Sequence, residues 1–129
     1  MASIFSKIIA GEIPAYKIAE NEKHIAFLDA FPIVKGHTLV VPKKESDKIF
    51  ELSQEEYSEL MNYTYKIAQA IGKALPCLRV GIAVQGLEVP HVHVHLIPMN
   101  SPQDMVFSNK IQLTPEEFTE IQNQIKSFL

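Results

Sequence analysis

Between residues 53 and 75 apolar and polar positions alternate with a clear helical period. Tyr57, Leu60, Met61, Thr64, Ala68, Ile71 and Leu75 recur at three- and four-residue intervals, with Glu59, Lys66 and Lys73 between them, which predicts one long amphipathic helix. Ser53 followed by Glu56 is a capping box that starts it, and Gly72 and Pro76 mark its end. A second box at Thr114 and Glu117, with Pro115 at the first helical position, opens a C-terminal helix bearing Phe118, Ile121, Ile125 and Leu129 on one stripe. Ser3 caps a short helix to Ala10, which Gly11 ends.

Elsewhere the pattern shortens to strand length. Residues 14–20 and 23–29 read as two strands joined by Asn21 and Glu22, and residues 37–41 as a β-branched strand stopped by Pro42. Two more strands, residues 78–84 and 89–97, flank the turn at Gln85, Gly86, Leu87 and Glu88, where Gly86 serves as the turn device. Strands in runs rather than in alternation with helices predict an α+β domain over residues 1–129. Its sheet is five-stranded, mostly antiparallel and meander-like, with one long helix and shorter terminal helices.

A chain of 129 residues can bury one real core. Its net charge of -3 and lack of a dense basic cluster argue against nucleic acid as a partner. No window reaches the eighteen apolar residues of a membrane span, and the opening residues do not resemble an export signal, so no membrane partner and a cytoplasmic location are expected. The single Cys77 cannot close an internal disulfide and reads as a packed small hydrophobe.

The chemistry concentrates in His91-Val92-His93-Val94-His95. On a strand the three imidazoles share one face, about 6.5 to 7 Å apart, while the valines enter the core. The spacing lets the middle ring reach a bound phosphorus while its neighbours serve phosphate oxygens. Neutral imidazole is a nucleophile near pH 7, so the run suits phosphoryl transfer. Two other readings stay open on the residues alone: a metal site with His37 as an extra ligand, or histidines satisfied by backbone carbonyls. His24 reads as an exposed or edge residue. Asp29 is either a ribose-binding carboxylate or a turn cap. Lys43 and Lys44 read as a solvated edge rather than as substrate-steering cations.

Residues 91–97, His-Val-His-Val-His-Leu-Ile, resemble the signature of the histidine triad nucleotide-binding family. The likeness extends over Ile4 to Pro14, Ala26 to Asp29 and Gly36 to Lys44. It implies that His93 is the nucleophile of a nucleotidyl-histidine intermediate, with His91, His95 and His37 in support. It also implies that Asp29 binds ribose, that Ile4, Phe5, Ile8, Phe27 and Leu39 line the base and ribose pocket, and that the chain forms a homodimer. Three departures matter. The loop before the triad is shorter and less polar than in the phosphoramidase branch, leaving Gln85 and Glu88 for the phosphate or leaving-group side. Ser3 and Ser6 stand where zinc-binding relatives have cysteines, so no metal and no other cofactor is expected. There is no tryptophan.

The expected activity is hydrolysis of purine nucleoside 5'-phosphoramidates, the substrate partner being a purine nucleotide or nucleotide conjugate. The alternatives are a dinucleoside polyphosphate hydrolase and a non-enzymatic nucleotide sensor or interaction protein.

Overall fold

In the computed structural model, which describes residues 3–129, the Ser53 hydroxyl accepts from Glu56 N–H while the Glu56 carboxylate accepts from Ser53 N–H. This box starts helix α2, Gln54–Ala74, which runs through Gly72 and stops where Leu75 turns extended ahead of Pro76. Leu60, Thr64, Ile67, Ala70 and Ile71 form its buried stripe. The matching box at Thr114 opens α3, Pro115–Lys126, and Ser3 caps α1, Ile4–Ile9.

The strands are β1 (Lys17–Glu20), β2 (His24–Leu28), β3 (Thr38–Pro42), β4 (Arg79–Ala83) and β5 (Val94–Met99). They form one antiparallel sheet in the order β1-β2-β3-β5-β4. The expected meander therefore holds only for its first three strands. The α2 crossover carries the chain to the far edge, and the β4–β5 hairpin then folds back to pair β5 with β3.

The sheet separates two apolar clusters. Ala26, Leu28, Val40, Val94 and Leu96 pack with α2 and α3 on one side. On the other, Ile25, Phe27, Leu39 and Val41 pack with Phe5 of α1. β5 begins later than the pattern predicts: Val92 N–H leaves the ladder to bond Ser46 O at 2.8 Å, and His91 N–H turns back to Val89 O at 2.8 Å. Val92 and Val94 still enter the α2-side core, so the expected alternation survives without the ladder.

His24 is not an exposed or edge residue. It is 6% exposed, on the α2 side of β2, with its ring stacked 5.2 Å from Tyr63. Cys77 is half-buried and free rather than fully packed.

Candidate functional site

Strand β3 and the run into β5 bring His37, His91, His93 and His95 onto the α1 side of the sheet, all buried. The rings of His93 and His95 lie 4.9 Å apart, and those of His37 and His95 lie 5.2 Å apart. Phe5 of α1 meets the His93 ring edge-on at 4.9 Å.

The hydrogen-bond partners assign each ring its tautomer. Ile33 N–H donates to His37 Nδ1 at 3.1 Å, so the proton of His37 sits on Nε2. That N–H donates to His95 Nδ1 at 2.9 Å, with Asp29 Oδ2 a longer second acceptor at 3.4 Å. His95 accordingly keeps its proton on Nε2. His93 is the opposite: its Nδ1–H donates to His91 O at 2.7 Å, leaving the Nε2 lone pair free. His91 Nε2–H donates to Pro42 O at 2.8 Å. Thus His93 offers a lone pair and its neighbour His95 an N–H, a division of labour set for His93 by the His91 carbonyl and for His95 by the His37 ring, which Ile33 N–H orients.

Burial disfavours the protonated form of His37, His93 and His95. Desolvation pushes His37 down to about 3, helped by the nearby His95 and Lys110 charges. Desolvation likewise brings His95 to about 4, with His93 and Lys110 adding to it. His93 is lowered chiefly by desolvation, against the opposing hydrogen bond to His91 and the charge of Asp29. The Asp29–His37 contact is therefore a carboxylate facing a neutral N–H, not an ion pair. Burial raises the Asp29 carboxyl, and Phe31 N–H, donating to Oδ1 at 2.9 Å, partly offsets it. Asp29 does cap a turn, while its second oxygen faces the histidines.

His93 and Gln85 line one open cleft of about 520 Å³, together with Asp47, Lys48, Phe50 and Leu87. Glu88 is exposed and outside that lining, and acts on His93 and Asp29 through its charge. Among the apolar residues named from the sequence, Phe5, Phe27 and Leu39 are buried together with Ile8 against them, whereas Ile4 is 48% exposed and outside that cluster. Lys43 and Lys44 bond Glu20 and Glu56 instead of the cleft, as a solvated edge does.

Several residues escaped the pattern. Phe107 stands edge-on to His95 at 4.7 Å, and Lys110 lies 5.9 Å from the Phe107 ring. Neither belongs to an apolar period or a motif. Glu45, Ser3 and Ser6 gather around His91, with Ser3 Oγ 2.6 Å from Nδ1. This set does not fit a structural zinc ion. Two of its donors are neutral hydroxyls already engaged in hydrogen bonds, where such a site calls for thiolates or imidazoles. His37 lies with His95 and Asp29, apart from this set.

A model of the HIT domain matches residues 10–101. The chain is 34% identical over 131 residues to an uncharacterized HIT-like protein of Borreliella burgdorferi, covering 95% of this chain and 94% of that one. It is 40% identical over 99 residues to adenosine 5'-monophosphoramidase hnt1 of Schizosaccharomyces pombe, covering 76% and 74%. The crystal structure of a Hit-like protein involved in cell-cycle regulation from Bartonella henselae superposes with a TM-score of 0.86 at 31% identity, covering 98% of this chain and 96% of that one.

Proposed function

The chain belongs to the HIT-domain family, and from that membership we propose that it hydrolyses purine nucleoside 5'-phosphoramidates through a nucleotidyl intermediate on His93. The observation that carries this reading is the pair of opposite tautomers: a bare Nε2 on His93 beside a protonated Nε2 on His95. The similarity to an adenosine 5'-monophosphoramidase supports the substrate class.

In the first step the His93 Nε2 lone pair attacks phosphorus. The bond from phosphorus to the amine nitrogen breaks, its electron pair leaves with the amine, which takes its proton from solvent, and neutral His95 donates an Nε2–H hydrogen bond to a phosphoryl oxygen as charge builds there. In the second step water attacks phosphorus, the bond to His93 breaks, the ring recovers its lone pair, and the proton that the water loses passes to solvent, balancing the one the amine took up. The depressed pKa of His93 keeps the nucleophile unprotonated at neutral pH. Asp29 receives the ribose hydroxyls, and the Phe5, Phe27 and Leu39 cluster with Ile8 walls the nucleoside side.

The exposed Lys48 on the cleft and Lys110 beside His95 favour a second substrate class with an anionic leaving group, the dinucleoside polyphosphates. The protein works as a cytoplasmic homodimer; exposed Leu78 (78%), and Ile82 (48%) on the edge strand β4, support a second copy there. No helix among the described residues is long and apolar enough to cross a membrane. Turnover of adenosine and guanosine 5'-phosphoramidates and of diadenosine polyphosphates by one preparation, with His93→Ala as control, tests the assignment. Phosphoramidates are expected to give the higher kcat/KM. Preference for polyphosphates would transfer the assignment to the second class, and no turnover of either would refute the hydrolase reading.

A further inference from the structure

The first turn of α1 is joined to the triad by hydrogen bonds that the chemistry above does not use. The Ser3 hydroxyl accepts from Ser6 N–H at 3.0 Å, which caps the helix, and donates its own hydrogen to His91 Nδ1 at 2.6 Å. The direction of the second bond follows from His91, whose Nε2 faces the carbonyl of Pro42 and must carry the proton, leaving Nδ1 an acceptor. Glu45 closes the set: its Oε1 accepts from Ser6 Oγ at 2.6 Å and from Ser3 N–H at 2.7 Å. The same bonds hold the Glu45 carboxyl down at about 2, so it is an anion throughout the neutral range. Next along the chain, Ser46 O accepts Val92 N–H at 2.8 Å. Segments more than 35 residues apart in sequence are thereby tied at one point.

Two parts of the nucleophile's surroundings depend on that point. A six-residue helix has no stability of its own, so the place of α1 is set by what anchors it. α1 carries Phe5, whose ring stands 4.9 Å from His93 and 5.7 Å from Phe27. His91 supplies the carbonyl that accepts His93 Nδ1–H and so keeps the lone pair on Nε2. A shift of His91 or of α1 would loosen both constraints on one ring.

We propose that Ser3, Ser6 and Glu45 form a latch that positions His93, with Ser3 acting through His91 and through the placement of Phe5. They are positioning residues, since none touches the reacting phosphorus. The role presupposes His93 as the nucleophile, but the latch itself can be read out without substrate.

Ring-nitrogen spectra of ¹⁵N-labelled protein at pH 7.5 report the His93 tautomer directly. In wild type they should show a protonated Nδ1 and a bare Nε2. Ser3→Gly removes the hydroxyl yet remains a serviceable helix cap. It should move the His93 nitrogens toward an averaged tautomer and lower kcat on adenosine 5'-phosphoramidate at least fivefold. Ser3→Thr keeps both the cap and the donor, and should restore the wild-type nitrogens and kcat to within about threefold. Glu45→Ala leaves helix and triad sequences intact and should shift the same nitrogens, with a two- to threefold loss of kcat. It also decides the matter if Ser3→Gly does not fold. Wild-type His93 nitrogens and kcat in Ser3→Gly with α1 intact would overturn the latch and leave Ser3 a helix cap; the same result in Glu45→Ala would overturn it independently. If wild type turns over no phosphoramidate, the activity assignment fails while the nitrogen spectra still decide the latch.

Discussion

Replacing His37 by asparagine and, separately, by glutamine splits the two hydrogen bonds of a ring that is 1% exposed. His37 Nδ1 accepts Ile33 N–H, and Nε2–H donates to His95 Nδ1. An asparagine oxygen falls near the position of Nδ1, and a glutamine nitrogen near that of Nε2. His37→Asn therefore keeps the acceptor for Ile33 and loses the donor to His95; His37→Gln does the reverse. A buried donor left without a partner costs about 1 to 3 kcal/mol, so His37→Gln should lower unfolding free energy by that amount while largely preserving kcat. In His37→Asn the proton of His95 is free to move to Nδ1. Loss of a bond worth about 1.4 kcal/mol shifts the tautomer ratio about tenfold, which is the ceiling on the fall in the Nε2–H population, so kcat should fall, by less than that factor, as the donor is depleted. Urea unfolding at pH 7 and kcat on adenosine 5'-phosphoramidate measure the two effects. Full activity in His37→Asn, or equal loss in both variants, would refute the role given to the His37–His95 hydrogen bond.

Three further outcomes follow from the same structure. A ribonucleotide should bind about 1 to 3 kcal/mol more tightly than its 2',3'-dideoxy analogue, and equal affinities by calorimetry would reduce Asp29 to its turn-capping bond with Phe31. His95 and His37, held at about 4 and about 3, bind protons in the unfolded chain before they do in the fold. Their contribution to stability is intact above the ordinary imidazole pKa of about 6.5 and drains as pH falls toward those values, by up to about 1.4 kcal/mol per pH unit for each ring. Urea midpoints that stay flat from pH 7 to pH 4.5 would contradict this. Gly36 has a φ of +93°, and an added Cβ would collide with Leu75 and lie 3.0 Å from Pro98 Cγ. Gly36→Ala should cost about 2 to 4 kcal/mol in denaturant unfolding, and a loss below 1 kcal/mol would show that the turn relaxes.

What could be read from the chain was what local chemistry decides. The boxes at Ser53 and Thr114 begin both longer helices because their partners lie three residues away. The triad stood out because three imidazoles alternate with valines, and Asp29 because it closes an apolar strand. What was missed depends on distant contacts. Insertion of β5 between β3 and β4 is a choice among antiparallel pairings that alternation alone cannot rank. His24 is polar in type yet buried, since its ring stacks on Tyr63, 39 residues onward. Val92 leaves the ladder for Ser46, and Glu45 reaches a helix 39 residues earlier; no local period encodes either contact.

The central claim is that His93 becomes covalently bonded to the nucleotide. His91 shares its face, but its Nε2 carries a proton committed to Pro42 and its Nδ1 accepts from Ser3. His95 has its Nδ1 engaged by His37, which leaves His93 Nε2 as the uncommitted imidazole lone pair of the triad. An acid-free quench during turnover of adenosine 5'-phosphoramidate, followed by peptide mass analysis, tests this directly. An adenylate adduct should appear on the peptide spanning residues 91–95, fragmentation should place it on His93, and His93→Ala should lack it. An adduct on His91 or His95, or wild-type turnover by His93→Ala, would contradict the account.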